Sequence, residues 1–436
     1  MIQAGFARVD ITPPLGTKIS GYFHERLAEG VRDPLQLNAL AYGNGTQSAL
    51  IIACDVVAIT QEYAELIRAR IAARTGVPKE LVMICALHQH TAICLGGREI
   101  FFPVKEPVYL ETLYRKFEDV AVMALADMSE ARLFTAEGEV AEPIAFIRRY
   151  YMPDGSIKTN PSRKGPRPVR PCDEADNTVR LIRFAREDKQ DIAYVNFSTH
   201  PDVISGCKFS ADWPGFVRRF VEGDNADALC ISVTGFQGDS NHCNYLDPES
   251  RSLVRGSGYE HSRYMGRVIA DTVARLWEGG TVHTDDRILG EVRTVYSKTN
   301  TAGEELYDEA QCYVADYYAG TPKPTAHISD IATAVRVIDL RTTPLYQPVT
   351  VSLLSLGDIL FFGLGGEPFT RYARIAREML PADKTLLCSC CTNGYQGYLP
   401  SKQAFDEGGY EISNTFFTPD LEALVVNALR DMIEKI

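Results

Sequence analysis

The stretch SALIIACDVVAITQEYAELIRARIAARTGVPKELVMICALHQH, residues 48–90, carries the signal that sets the fold class. It begins with a short apolar run, too brief for a helix and ending on Asp55. The periodicity then changes: Ala64, Ile67 and Ile71 recur at helical spacing, Gly76 provides a stop, and Pro78 follows it. A second apolar run, LVMICA, leads directly into His88 and His90. Strand, helix and strand in that order make a βαβ unit, the building block of α/β domains.

The same succession recurs along the chain. DIAYVNFS leads to His200, ALCISVTG to FQGD, and DILFFGLG to Glu367 followed by the helical FTRYARIAREML. TLLCSCC leads to TNGYQGYLPS. The last helix starts at TPD, with Thr418 as N-cap, Pro419 at the first helical position, and a stripe of Leu421, Leu424, Val425 and Ala428. EPIAFIRRYYMPDGSIKTN reads as a hairpin around a Pro-Asp-Gly turn, and PSRKGPRPVRPCDEADN as a long irregular loop. No repeat or linker divides the sequence. The expectation is an α/β fold: one large domain over residues 1–436, with a mixed, largely parallel sheet flanked by helices.

Composition narrows the function. The 45 basic and 57 acidic residues leave a net charge of −12, which argues against nucleic acid or an anionic membrane as the main partner. No apolar run is long enough to span a bilayer, and MIQAGFARVD lacks the basic and apolar regions of a secretion signal. The 11 cysteines sit mostly in apolar runs, among them Cys388, Cys390 and Cys391, and read as buried free thiols of a reducing compartment, the cytoplasm.

Chemistry collects where strands end. Asp55, His88, His90, His200, Asp239 and Glu367 each closely follow an apolar run, and α/β sheets gather ligands and catalytic groups at the carboxyl ends of strands. On a regular strand His88 and His90 would face one side, about 6.5–7 Å apart at Cα, which suits one metal ligand beside one acid–base group, or two ligands if the backbone curls. Imidazoles joined by an oxygen ligand point to zinc. Neither a D-x-H phosphoesterase motif nor the extended H-x-H-x-D-H of metallo-β-lactamases is present.

Seven segments, GFARVDITPPLGTKISGY, LHQH, FIRRYYMPDGSIKTNP, STHP, QGD, GGEPFT and NGYQGY, occur in an order that resembles the catalytic domain of the neutral/alkaline non-lysosomal ceramidases, from Gly5 to the chain end. The resemblance implies a ceramidase-like catalytic fold and a Zn2+ ion held by His88, His200, Glu367 and Tyr398, with Tyr395 as the alternative to Tyr398. It places His90, Arg148 and Tyr410 beside the water and substrate. Asn241 stands in GDSNHCN where the family has a catalytic serine, with Ser240 one place earlier. LHQHTAI lacks the Gly-Pro that follows the family's histidine pair, and the C-terminal immunoglobulin-like domain of full-length members has no counterpart.

The expected activity is zinc-dependent hydrolysis of a linear amide, an N-acylsphingosine or a related N-acyl amide, within lipid and sphingolipid metabolism. The absent accessory domain and secretion signal favour a soluble N-acyl amide. Zinc would bring a bound water toward a pKa of about 7. His90 would carry the proton to the leaving amine, with Tyr410 and Arg148 as oxyanion donors. Asp55 and Asp239 are candidates to hold the ligand histidines, or else cap turns. The loop of Arg163, Lys164, Arg167 and Arg170 reads as solvated, with a gate over the site or an anion site as the other readings. The alternatives are a metal-dependent esterase or phosphoesterase, and a non-catalytic protein with a closed structural zinc.

Overall fold

Three βαβ units carry the parallel pairing of the two main sheets in the structure, a computed structural model that describes residues 1–247, 256–323, 327–328 and 330–435. One half of a nine-stranded sheet comprises β1 (Gln3–Asp10), β2 (Gln36–Gly43), β3 (Ser48–Cys54) and β4 (Val82–Ala86). The other half comprises β5 (Ser129–Glu139), β6 (Thr178–Arg186), β7 (Asp191–Phe197), β8 (Ala228–Thr234) and β9 (Thr281–His283). The order is β8-β7-β6-β5-β1-β2-β3-β4, with β9 beside β5. A four-stranded sheet follows, β10 (Ile288–Lys298), β11 (Tyr346–Leu356), β12 (Ile359–Leu364) and β13 (Thr385–Ser389), in sequential order.

The mixed sheet with flanking helices is as expected. Its pairing is less parallel than expected, because in the large sheet only β3·β4 and β7·β8 run parallel. The reason is the connections. A parallel neighbour needs a crossover, and helices α1 (Gln61–Thr75) and α3 (Asp212–Asp224) supply it there. The third crossover, α5 (Thr370–Glu378), joins the parallel pair β12·β13. The remaining pairs of these two sheets are antiparallel. Two further helices, α2 (Pro107–Ala126) and α4 (Tyr259–Leu276), cover the large sheet, and α6 (Leu421–Ile433) closes the chain.

Local structure follows the sequence signals. In α1 the residues Ala64, Ile67 and Ile71 are buried, and Gly76 ends the helix at φ 78°, the left-handed region that glycine enters without penalty. The Pro-Asp-Gly turn links antiparallel strands, with Arg149 opposite Thr159 and Tyr151 opposite Ile157. The last helix begins two residues later than expected, at Leu421, with Asp420 at the N-cap position.

Strands β11, β12 and β13 of the four-stranded sheet are apolar on both faces because both are covered. Leu354, Ile359 and Phe361 join the core of the large sheet, where Phe361 stacks with Tyr42 at 5.8 Å and meets Tyr194 edge-on at 5.4 Å. The alternate residues Leu353, Leu360 and Phe362 pack with Tyr372 of α5 and with Leu421 and Val425 of α6.

The site depends on the narrow joint between the halves of the large sheet. β1 and β5 pair over only Gln3↔Glu130 and Ala4↔Ser129, so the halves can turn toward each other. Arg8 of β1 reaches across to Glu222 of α3 at 2.6 Å and to the Cys230 carbonyl at 2.9 Å. At the carboxyl ends, the Thr234 hydroxyl donates to the Leu87 carbonyl at 3.1 Å and Cys390 N–H to the Thr234 carbonyl at 3.2 Å. Ala86 N–H donates to the Cys391 carbonyl at 3.2 Å, and Cys391 N–H to the Gly366 carbonyl at 2.8 Å. The ends of β4, β8, β12 and β13 are thereby tied at one place.

Candidate metal centre

His88 leaves β4 through a left-handed backbone, φ 71°, so His88 and His90 do not continue a regular strand. Positive φ is unusual for a residue with a Cβ, and here it turns the chain out of the strand direction. The curl brings three imidazoles together. Ring centroids lie 5.0 Å apart for His88 and His90, 4.9 Å for His88 and His200, and 5.2 Å for His90 and His200. One nitrogen from each ring lies within 4.8 Å of the other two.

Glu367, on the turn after β12, enters the same space. Its Oε2 is 3.4 Å from His88 Nε2 and 3.6 Å from His200 Nε2. Ligand atoms on a tetrahedral zinc with bonds of 2.0–2.1 Å are separated by about 3.3 Å, so these two distances match edges of such a polyhedron. Among the described residues Glu367 Oε2 is also buried with no hydrogen-bond partner, as are both ring nitrogens of His90. An orphaned carboxylate oxygen facing two imidazole nitrogens is costly unless a cation completes it. The donor set fits zinc.

The outer ring nitrogens are fixed. His88 Nδ1 lies 2.7 Å from the Val57 carbonyl and His200 Nδ1 3.4 Å from that of Gln237, which directs both Nε2 atoms inward. The other Glu367 oxygen, Oε1, accepts from the Tyr395 hydroxyl at 2.7 Å, and Tyr395 stacks on the His88 ring at 5.8 Å. Burial disfavours charge on His88, but the Glu367 carboxylate outweighs it and raises the imidazole pKa. Conversely, burial would raise the Glu367 carboxyl, but His88 and Arg148 hold it below its ordinary value. His90 and His200 are held well below the ordinary imidazole value, first by burial and then by neighbouring cationic groups. A neutral His200 beside an ionised Glu367 suits a metal, whereas Glu367 favours the protonated form of His88, a proton that a bound cation would displace.

The remaining candidates sort clearly. Arg148 is buried; its Nε donates to Glu411 at 2.8 Å, its Nη2 to the Gly238 carbonyl at 2.8 Å, and its guanidinium lies 5.2 Å from the Tyr398 ring centroid. Tyr398 pairs in register with Glu367 and meets Tyr410 edge-on at 5.9 Å. Of the two tyrosines weighed for the metal, Tyr395 is therefore the one bonded to Glu367, while Tyr398 lies with Arg148 and Tyr410. Asn241 is occupied elsewhere: its amide donates to Asn160 at 2.7 Å and its carbonyl accepts from Cys243 N–H at 2.9 Å.

Asp55 and Asp239 do not hold the histidines. Asp55 binds Arg218 of α3 at 2.6 Å and Gln89, the residue between the two histidines, at 2.7 Å. Asp239 binds the first turn of α5 through Thr370 N–H at 2.8 Å. Backbone carbonyls take the place expected of these acids. In the basic loop Arg170 stacks on Tyr151 at 3.9 Å and Arg167 donates to the Leu246 carbonyl. Cys388, Cys390 and Cys391 are buried as expected, and Cys391 Sγ lies 3.7 Å from His88 Nδ1.

Four residues that sequence reasoning missed also belong here. Asp202 Oδ1 lies 3.4 Å from His90 Nδ1, and the Tyr22 hydroxyl donates to the same oxygen. Burial pushes the Asp202 carboxyl up to about 6. Arg26 stacks on Tyr22 at 4.2 Å and donates to the His90 carbonyl at 2.8 Å. Glu411 is fully buried and holds Arg148. Asp202 had a signal, lying two residues beyond His200, and Glu411 adjoins Tyr410; burial of an acid is not written in local sequence.

Gly238 shows why its turn carries glycine. A Cβ there would lie 2.2 Å from the Glu367 carbonyl oxygen, so this turn can press against the ligand-bearing turn only without a side chain.

No protein-family model and no curated protein matches the sequence. Solved structures do match the fold. A neutral ceramidase from Pseudomonas aeruginosa is similar with a TM-score of 0.74 at 16% identity, over 99% of this chain and 74% of that one. A ceramidase complexed with C2 gives 0.71 at 16% identity, over 100% and 76%. The chain therefore has the fold of the neutral ceramidases.

Proposed function

We propose that this chain is a metal-dependent hydrolase of linear amides, a member of the neutral ceramidase family whose residues 1–436 form one catalytic domain. The observation that carries the reading is the convergence of His88, His200 and Glu367, from three separate strand ends, on an orphaned carboxylate oxygen. His90 stands beside them with neither nitrogen hydrogen-bonded among the described residues. A continuous buried cluster from Ile2 to Cys391 supports the single domain.

His88, His200 and Glu367 would hold zinc, which supplies Lewis acidity and activates water near neutral pH. His90 accepts a proton from the attacking water as the oxygen–carbon bond forms. It delivers that proton to the nitrogen as the carbon–nitrogen bond breaks, so one amide and one water give one carboxylic acid and one amine. Arg148, kept cationic although burial opposes its charge because Tyr398, Glu411 and Glu367 surround it, steadies negative charge developing on the carbonyl oxygen. Tyr398 and Tyr410 stay protonated through burial and serve as hydroxyl donors on that side. Asn241, tied to Asn160 and Cys243, shapes the loop beside Arg148 rather than acting as a nucleophile.

The substrate is an N-acyl amide. Among the described residues no helix is long and apolar enough to cross a membrane. All eleven cysteines are free, which supports work in a reducing compartment such as the cytoplasm. The test is a substrate panel with metal analysis. The expected result is about one zinc per chain and hydrolysis of N-acyl amides, lost on chelation and restored by zinc. Preferential cleavage of esters or phosphates would select the esterase or phosphoesterase reading. Bound zinc with no turnover would select a structural site.

A further inference from the structure

The three imidazoles are sorted by what holds their outer nitrogens. His88 and His200 face backbone carbonyls, at 2.7 and 3.4 Å. The Nδ1 of His90 instead faces a carboxylate, Asp202, at 3.4 Å. A carboxylate at Nδ1 can accept that nitrogen's N–H, which sets the ring's orientation and turns Nε2 into the site.

The surrounding chain is built around this contact. The Tyr22 hydroxyl donates to Asp202, and Arg26 lies on the Tyr22 ring while its guanidinium donates to the His90 carbonyl. Gly21, at φ 105°, lies against the His90 ring so closely that a Cβ would come within 2.9 Å of its Cγ. His90 N–H donates to the carbonyl of Pro201, the residue before Asp202, at 3.2 Å. Backbone and side chain of His90 are therefore registered against one short segment.

We propose that Asp202 is the positioning residue of the proton-transfer step: it holds His90 by Nδ1, with Tyr22 fixing Asp202, so that Nε2 is presented to the reacting water and the leaving nitrogen. The inference rests on the amide-hydrolase reading above. The His90–Asp202 approach is an ion-pair contact without a completed hydrogen bond, and such contacts shorten when substrate is bound. Proton delivery matters most when the departing amine is a poor leaving group. It matters little when the departing amine is an aromatic one that leaves readily without a proton. An orienting role therefore predicts a loss that depends on the leaving group, whereas a general disturbance of the fold lowers both reactions alike.

The experiment compares Asp202→Asn, Asp202→Glu and Tyr22→Phe with wild type on two substrates that share an acyl group. One is an N-alkyl amide and the other a p-nitroanilide. Zinc content is measured on each protein. For Asp202→Asn, retained zinc, a fall in kcat of about 10²-fold or more on the alkyl amide, and less than about tenfold on the anilide are expected. KM should change little. Asp202→Glu should recover part of the loss, and Tyr22→Phe should show a smaller loss with the same leaving-group dependence. Equal losses on both substrates, loss of zinc, or unchanged rates would each overturn the role of Asp202. A wild-type protein that hydrolyses neither amide would overturn the hydrolase reading itself, and this inference with it.

Discussion

His88→Ala is expected to abolish stoichiometric zinc binding and, with it, amide hydrolysis. His88 contributes the imidazole nitrogen at 3.4 Å from Glu367 Oε2, and its own Nδ1 is already anchored on the Val57 carbonyl. Removing a supporting partner of a metal ligand typically costs about 10–100-fold in affinity, and removing the ligand itself should cost more. The substitution also deprives Glu367 of the neighbour that lowers its pKa most, leaving burial to favour the protonated acid. A protonated carboxyl is a poor ligand, so the two effects reinforce each other. Zinc per chain measured after dialysis against a weak chelator checks this. Retention of one full equivalent would remove His88 from the centre.

His90→Ala should behave differently. The zinc should stay, because His88, His200 and Glu367 remain, while kcat falls by about 10²–10⁴-fold, the usual worth of a positioned acid–base group. KM should move little if His90 acts chiefly in the transition state. The two histidines differ in their surroundings as their roles require: one is anchored on a backbone carbonyl and paired with Glu367, the other faces Asp202 with no completed hydrogen bond. Zinc content and steady-state kinetics on the purified variant separate the outcomes. Loss of zinc from both variants would make the pair joint ligands, consistent with the close grouping of all three imidazoles.

Much of this was legible in the sequence, and the parts that were not have physical reasons. The β3–α1–β4 unit was readable because its apolar residues change from a strand pattern to a helical one and Gly76 punctuates the change. The share of parallel pairing was not. Alternating strands and helices look alike whether a helix crosses between neighbours or covers a face, as α2 does between β4 and β5, which are not neighbours. The strand-end positions of His88, His200 and Glu367 were visible, but their meeting point depends on the narrow β1·β5 joint, a tertiary feature with no local signature. Asp55 and Asp239 show the limit from the other side. Both follow apolar runs, yet Asp55 pairs with Arg218 and Asp239 caps α5. A buried carboxylate is satisfied by whichever donor the packing brings, and Arg218 lies 163 residues from Asp55 in the chain.

Anomalous diffraction at the zinc edge from crystals of the zinc-loaded protein tests the central claim most directly. The expected result is one strong peak bounded by His88 Nε2, His200 Nε2 and a Glu367 oxygen, with bonds of about 2.0–2.2 Å. No peak there after loading, or a zinc held elsewhere while His88, His200 and Glu367 remain unbridged, would contradict it.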